Sequence, residues 1–242
     1  MLGCMRNAPA TAVIQNQDRF FDVLPRVDGV LLPDRPDVLF AENGAPALII
    51  GTDREEDAGG LFDLYGMPAE DWDEFLLSLL GPDLAAMAAE LYPFAEYDSP
   101  WLAFVTGSTD VNRTCPTRDM ALAAAQTAPV YRYLYTHAFE RPDDFGFDLP
   151  VYRASHAFEE PFLWHDFDGW EYTPSAAEDR LSDIMADYWT NFAKTGNPNG
   201  GDLVLWPTYD ATTEALLFLD VSPVAGAAYH VPHCAFAQFL YQ

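Results

Sequence analysis

The amino-acid sequence predicts an α/β fold, in which helices flank a central sheet. Residues 47–51, Ala-Leu-Ile-Ile-Gly, form a short apolar run that ends in glycine, a pattern typical of a strand buried on both faces. Residues 130–136 are aromatic and β-branched with some alternation, which also favours a strand. Helical patterns lie between and after these segments. Together these features indicate a sheet with helices packed against it.

The first part of the chain is predicted to be irregular as far as residue 45, apart from a short helix near 8–15 and a turn at 25–29. The strand at 47–51 then leads into a loop. Residues 68–91 have helical periodicity, and we expect two helices there because a Gly-Pro pair at 81–82 interrupts the pattern.

The middle of the chain is predicted to form a helix at 117–127, with Thr117 as its N-cap, before the strand at 130–136. A long loop, about residues 138–155, then leads to His156. Long ordered loops inside compact domains are often functional, so we take this loop as a candidate part of a site.

The last third of the chain carries clear helix boundaries. Ser175 is the expected N-cap of a helix at 175–194, and Gly196 is the expected stop. A short strand at 216–219 and a final helix at 234–241 complete the predicted elements.

The composition limits the classes of partner. The chain has 38 acidic and 12 basic residues, and its formal net charge is −26. Nucleic acids and anionic membranes repel such a surface, so we expect neither as a partner. No continuous apolar run approaches the roughly 18 residues that cross a bilayer. The residues before Cys4 lack the basic and apolar regions of a lipoprotein signal, so we expect none there. If the parent protein is exported, we expect its signal upstream of Met1.

Three cysteines, Cys4, Cys115 and Cys234, leave two interpretations open. In an exported protein an odd count leaves one thiol unpaired or paired with a cysteine elsewhere. In a cytosolic protein all three could be buried thiols.

An acid followed much later by a histidine is the order of the last two members of an α/β-hydrolase triad. Glu56 lies in the loop after the strand at 47–51, where open α/β sheets place their chemistry, and His156 comes a hundred residues later. From spacing alone the other four histidines, His137, His165, His230 and His233, compete equally for the role. They do not form the His-x-x-x-His pattern of a zinc helix, so we expect no metal and no cofactor. The nucleophile motif Gly-x-Ser-x-Gly does not occur in the 242 residues.

A series of motifs in a fixed order resembles the type-B carboxylesterases, the family that includes the cholinesterases. The matching segments are Cys4-Met-Arg, Leu24-Pro-Arg-Val-Asp-Gly29, Gly51-Thr-Asp-Arg-Glu-Glu56, Thr109-Asp-Val-Asn-Arg-Thr-Cys-Pro116, His156-Ala-Phe-Glu-Glu-Pro-Phe162, Trp189-Thr-Asn-Phe-Ala-Lys-Thr-Gly-Asn-Pro198, Trp206-Pro207 and Cys234-Ala-Phe236. The resemblance runs nearly end to end. It implies that residues 1–242 are the C-terminal part of a single carboxylesterase domain, with an incomplete central sheet and flanking helices.

The resemblance also implies roles for individual residues. Glu56 matches the triad acid and His156 the general base, although Glu55 is adjacent and the acid assignment could shift by one residue. Asp57 and Ala157 stand where the family usually has glycine.

Other positions match the family's substrate pocket and disulfides. Phe20 and Phe21 fall near the family's acyl pocket, and plain core packing is the other interpretation of these two aromatics. Cys115 and Cys234 match a disulfide pair, and Cys4 matches a half-cystine whose partner lies upstream. These matches imply an exported parent protein, extracellular or periplasmic.

Three functional hypotheses follow. The first is a segment of a serine carboxylesterase that supplies the acid and the histidine of the triad. Together with a missing N-terminal half it would hydrolyse a small-molecule ester, and alone it would be inactive. The second is an inactive cholinesterase-like module that binds another protein. The third is a different hydrolase that takes its nucleophile from Ser108 or Ser155, neither of which lies in a predicted strand-to-helix turn.

Overall fold

The computed structural model describes residues 7–15, 26–141 and 153–240, and their strands form one mixed sheet in the order β1-β2-β3-β4. The strands are β1 Leu48–Asp53, β2 Val130–Tyr135, β3 Ala215–Leu219 and β4 Val224–Ala227. β1, β2 and β3 run parallel, and β4 pairs antiparallel with β3. The α/β class predicted from the sequence is confirmed.

Helices surround this sheet. They are α1 Ala10–Gln15, α2 Pro36–Asn43, α3 Trp72–Leu91, α4 Pro100–Thr109, α5 Cys115–Ala124, α6 Glu160–Trp164, α7 Ala176–Thr195 and α8 Val231–Leu240. A π-helical turn, Asp110–Thr114, joins α4 to α5, and 3-10 turns lie at Gly59–Leu64, Ala69–Asp71, Phe94–Glu96 and Asp168–Trp170. The largest core cluster lies between the sheet and α7 and is rich in aromatic side chains.

β2 lies inside the sheet, whereas β1 lies at the edge of its described part. Five of the six residues of β2 are buried, but only Thr52 and Asp53 are buried in β1. The expectation of a first strand buried on both faces is therefore wrong for Leu48–Gly51, which are half-buried because β1 pairs with β2 alone among the described strands. Position 51 nevertheless requires glycine, since a Cβ there would lie 2.4 Å from the Tyr133 ring.

Local sequence signals placed several helices correctly. Ser175 forms a capping box with Glu178 at the start of α7, and Gly196 ends that helix with φ 76°. α3 is broken at Gly81, whose φ of 77° and ψ of 171° are not helical, as the Gly-Pro pair predicted.

Three elements differ from the sequence prediction. α2 lies in the segment expected to be irregular; it carries Pro36 in its first turn and is followed by Gly44 at φ 79°. Thr117 is not an N-cap, because the π turn continues directly into α5 and leaves no free helix start to cap. β4 was not predicted, since this strand of four residues, Val-Ala-Gly-Ala, is too short to show a pattern and is mostly exposed.

The segment Ala69–Glu96 has no continuous apolar run of about 18 residues, because acidic residues interrupt it. By length and composition alone it is nevertheless apolar enough to cross a bilayer, with a window hydropathy of 1.3 and 11% of the window buried. The break at Gly81, however, divides α3 into two parts, each on the order of 15 Å long against a hydrocarbon core of roughly 30 Å.

A disulfide joins Cys115 at the start of α5 to Cys234 in α8, with their Cα atoms 5.2 Å apart. This is the pair that the family resemblance implied. Cys4 lies outside the described residues. The bond closes a loop across 119 positions of the sequence and so ties the last helix to the middle of the chain.

Candidate active site

Two loops meet at the carboxyl edge of the parallel strands. Because β1 and β2 run parallel, both end at the same edge of the sheet. The Arg54 N–H donates to Tyr135 O at 3.0 Å, and the Glu55 N–H donates to Ala154 O at 2.9 Å. Main-chain hydrogen bonds therefore join the loop after β1 to the segment that carries His156.

Glu56 and His156, the two residues predicted from the sequence, contact each other across these loops. His156 Nδ1 lies 2.7 Å from Glu56 Oε2, and Glu56 Oε1 accepts the Asp53 N–H at 2.9 Å. The Glu56 side chain is only 12% exposed, whereas that of His156 is 78% exposed. Among the described residues Nε2 of His156 has no hydrogen-bond partner. A donated Nδ1–H would therefore leave the Nε2 lone pair facing outward.

The neighbouring Glu55 makes different contacts. Its carboxylate accepts from Arg54 Nε at 2.6 Å and from the Ala154 N–H at 3.1 Å. It is 3% exposed, and burial raises its pKa. Glu55 therefore holds the His156 segment in place, while Glu56 is the carboxylate that reaches the imidazole.

The two departures from the family pattern have local explanations. Asp57 accepts hydrogen bonds from Ser108 Oγ at 2.6 Å and Asn112 Nδ2 at 2.9 Å, which anchors the acid loop to α4 and the π turn. Ala157 adopts φ 69°, the left-handed region that favours glycine. The side chain at 157 is thus tolerated at some cost in backbone strain.

The other histidines are engaged elsewhere. His137 is buried between Asp220 and Glu178, and His230 contacts Asp110 at 2.6 Å.

His233 contacts the Leu91 carbonyl at 2.9 Å, and the exposed His165 lies 3.8 Å from Asp183. The described residues contain no group of three or more potential metal ligands.

The remaining candidates from the sequence are also located. Ser108 lies inside helix α4 with its hydroxyl on Asp57, and Ser155 is buried in the loop before His156. Neither lies in a strand-to-helix turn. Phe20 and Phe21 lie outside the described residues.

Sequence reasoning missed a second pair of acids beside the site. Asp53 ends β1 with 1% exposure, and burial, the charge of Glu159 and a side-chain hydrogen bond to Glu159 all raise its pKa. The available signal was a charged residue two positions after the apolar run that ends at Gly51.

A sequence model of the carboxylesterase family matches residues 1–237. The chain belongs to the carboxylesterase family. The para-nitrobenzyl esterase of Bacillus subtilis (strain 168) is 33% identical over 207 residues, which are 81% of this chain and 39% of that protein. The cocaine esterase of Homo sapiens is 28% identical over 250 residues, which are 94% of this chain and 43% of that protein.

Solved structures support the same relationship. A thermophilic PNB esterase superposes with a TM-score of 0.73 at 25% identity, covering 98% of this carboxylesterase chain and 50% of that chain. A second PNB esterase gives a TM-score of 0.71 at 26% identity with the same coverage. The predicted α/β-hydrolase fold is confirmed, and the chain spans about half the length of these relatives, or less.

Proposed function

We propose that this chain is the C-terminal segment of a carboxylic ester hydrolase and supplies Glu56 and His156 to a Ser-Glu-His triad. The contact of 2.7 Å between His156 Nδ1 and Glu56 Oε2 is the observation that carries the proposal. A partly buried carboxylate and an exposed imidazole form the acid–base half of such a triad.

The proposed chemistry uses both imidazole nitrogens. His156 Nε2 takes the proton from a serine hydroxyl as that oxygen attacks the ester carbonyl, and then returns it to the departing alcohol. Glu56 holds Nδ1–H, which fixes the tautomer and stabilises the imidazolium between the two transfers. The same two residues then activate water to hydrolyse the acyl-serine.

The nucleophilic serine and the oxyanion hole are proposed to come from polypeptide outside this chain. The missing Gly-x-Ser-x-Gly motif supports this, as does the limited share of each relative that the chain covers. The described sheet also ends at β1, whose outer edge is available for a further strand. Without a serine the base has nothing to activate, so the chain alone is expected to be inactive.

A secreted or periplasmic location of the parent protein belongs to the same proposal. The disulfide between Cys115 and Cys234 supports an oxidising compartment. The expected partners are a small-molecule ester and the complementary half of the enzyme. We expect neither nucleic acids nor anionic membranes as partners, because the net charge of −26 repels both.

The test is reconstitution of ester hydrolysis. The DNA upstream of Met1 is first searched in all frames for Gly-x-Ser-x-Gly, and that polypeptide, or the N-terminal half of the Bacillus para-nitrobenzyl esterase, is co-expressed with this chain. The purified pair should hydrolyse p-nitrophenyl acetate, whereas the chain alone should not.

Substitutions then assign the roles. His156→Ala and Glu56→Gln should each lower kcat of the pair by on the order of 10²–10⁴-fold, because triad members act as a unit. His165→Asn is the matched control and should retain activity within about tenfold, and Glu55→Gln should lower kcat less than Glu56→Gln does, because Glu55 does not reach the imidazole. Full turnover by the His156→Ala pair would refute the assignment. A stable complex that turns over no ester in any combination would instead favour the binding-module alternative.

A further inference from the structure

Beside the proposed triad lies a second carboxyl pair that the mechanism does not use. Asp53 Oδ2 and Glu159 Oε2 are both buried, and neither has a hydrogen-bond donor among the described residues. Glu159 acts on Asp53 through its charge and through a side-chain hydrogen bond, and both raise the pKa of Asp53. Two ionised carboxylates in contact repel each other, whereas one protonated and one ionised carboxyl form a strong hydrogen bond.

The surroundings of Asp53 also oppose its ionisation. Burial raises its pKa well above the ordinary value, and the negative charges of Glu159, Glu56 and Glu55 act in the same direction. On the β2 side it faces Tyr133 and Tyr135, whose own pKa values burial raises, so both stay neutral at physiological pH. No cation is among the groups that act most strongly on Asp53.

The pair connects the two loops of the site. Asp53 is the last residue of β1, and its N–H donates to Glu56 Oε1 at 2.9 Å. Glu159 follows His156 by three residues in a turn closed by the Phe158 N–H on Ser155 O at 3.0 Å. A contact between Asp53 and Glu159 therefore joins the acid loop to the histidine loop directly behind the proposed triad pair.

We propose that Asp53 stays protonated at neutral pH and donates to Glu159, so that one shared proton clamps the Glu56 loop to the His156 loop. Asp53 and Glu159 are then positioning residues that act through Glu56 and His156. Loss of the proton at alkaline pH places two adjacent negative charges between the loops and loosens the alignment of the acid with the imidazole.

Infrared spectroscopy of the 242-residue chain in D₂O at about pH 7 reads the proton directly. Exposed carboxyls are ionised at this pH, so a protonated carboxyl C=O band comes from buried groups. Asp53→Asn should remove the band, Glu159→Gln should shift or remove it, and Glu160→Gln, an exposed neighbour, should leave it unchanged. Absence of the band, or a band removed by Glu55→Gln and kept in Asp53→Asn, would overturn the clamp.

Thermal unfolding supplies a second measurement. A pKa raised in the folded state contributes stability that is present below the unfolded value of about 3.8 and is lost as the pH rises through the folded value. The Tm of the unsubstituted chain should therefore fall as the pH rises, and Asp53→Asn should reduce that fall by roughly 2–4 °C. Parallel Tm–pH curves for the two proteins would count against the shared proton.

The significance of the clamp rests on the proposed function, but its detection does not. In the reconstituted pair, kcat should decline on the alkaline side and Asp53→Asn should remove that decline. A missing infrared band sinks the clamp and leaves the triad standing. A band that behaves as expected, in a pair that turns over no ester, sinks the triad and leaves the shared proton standing.

Discussion

His137 and His156 both follow the carboxyl edge of the sheet and both contact a glutamate, but their environments are opposite. His137 is 5% exposed in its side chain and lies between Asp220 Oδ1 at 2.9 Å and Glu178 Oε1 at 3.2 Å. His156 is 78% exposed in its side chain, and among the described residues its ring hydrogen-bonds only to Glu56. One imidazole has both nitrogens occupied, and the other has one nitrogen free.

The difference separates a structural imidazolium from a candidate base. Burial alone would lower the pKa of His137, but hydrogen bonds to Asp220 and Glu178 outweigh it and raise the pKa to about 9. Burial alone would likewise raise the pKa of Glu178, but His137, the Ser175 and Glu140 N–H groups and Tyr172 lower it to about 2. A histidine that holds its proton this firmly, with both nitrogens engaged, cannot exchange protons with a substrate. A contact between histidine and carboxylate is therefore not by itself a mark of catalysis.

The largest expected effect comes from removing each imidazole in turn. His137→Ala should lower the free energy of unfolding by about 3–5 kcal/mol, because it leaves Glu178 charged and buried without its cation. His156→Ala should change it by less than about 0.5 kcal/mol, since the ring is exposed. Urea unfolding of both variants measures the contrast, and equal losses would show that the two histidines play the same structural part.

The next largest effect is expected in the pH dependence of stability, to which the buried His137 and its partner Glu178 contribute. The contribution of His137 is fully present below its ordinary pKa of 6.5 and is lost as the pH rises through about 9. The contribution of Glu178 is present above 4.5 and is lost as the pH falls through about 2. The stability difference between the parent and His137→Asn should therefore shrink by about 3 kcal/mol between about pH 6 and pH 10. A difference that stays constant over this range would mean that His137 is not charged in the folded chain.

The sequence predicted elements with local signals better than it predicted this contrast. The capping box at Ser175, the stop at Gly196 and the break at Gly81 are read within a few residues, and all three are present. α2 buries no residue and has no apolar stripe, so nothing in its pattern distinguished it from a loop.

The partners of the histidines could not be read from spacing. Glu178 and Asp220 lie 41 and 83 positions from His137, and Glu56 lies 100 positions from His156. Only the family resemblance selected His156 among the five histidines, and only the folded chain shows why His137 is unsuited to the role. The Asp53–Glu159 pair was missed by both approaches, because the two acids are 106 positions apart and the family resemblance assigns a catalytic role to neither.

A smaller effect is expected at Gly51, which lies in β1 five positions before Glu56. A methyl group at this position would lie 2.4 Å from the Tyr133 ring and 2.5 Å from the Tyr133 carbonyl oxygen, so β1 must move away from β2. Gly51→Ala should cost about 1–3 kcal/mol of unfolding free energy. Gly60→Ala is the control, because it meets nothing within 4 Å. Equal stability of the two variants would show that the strand edge adjusts freely.

The smallest effect concerns the residue next to the candidate base. Ala157 has φ 69°, so Ala157→Gly should relieve backbone strain and raise the unfolding free energy by up to about 1 kcal/mol, less the entropy that glycine loses on folding. Ala125→Gly, at an ordinary φ of −63°, should instead lower it by roughly 0.5–1 kcal/mol. The opposite signs make the pair informative despite the small sizes. If both substitutions destabilise the chain equally, the backbone turn after His156 is not strained by its alanine.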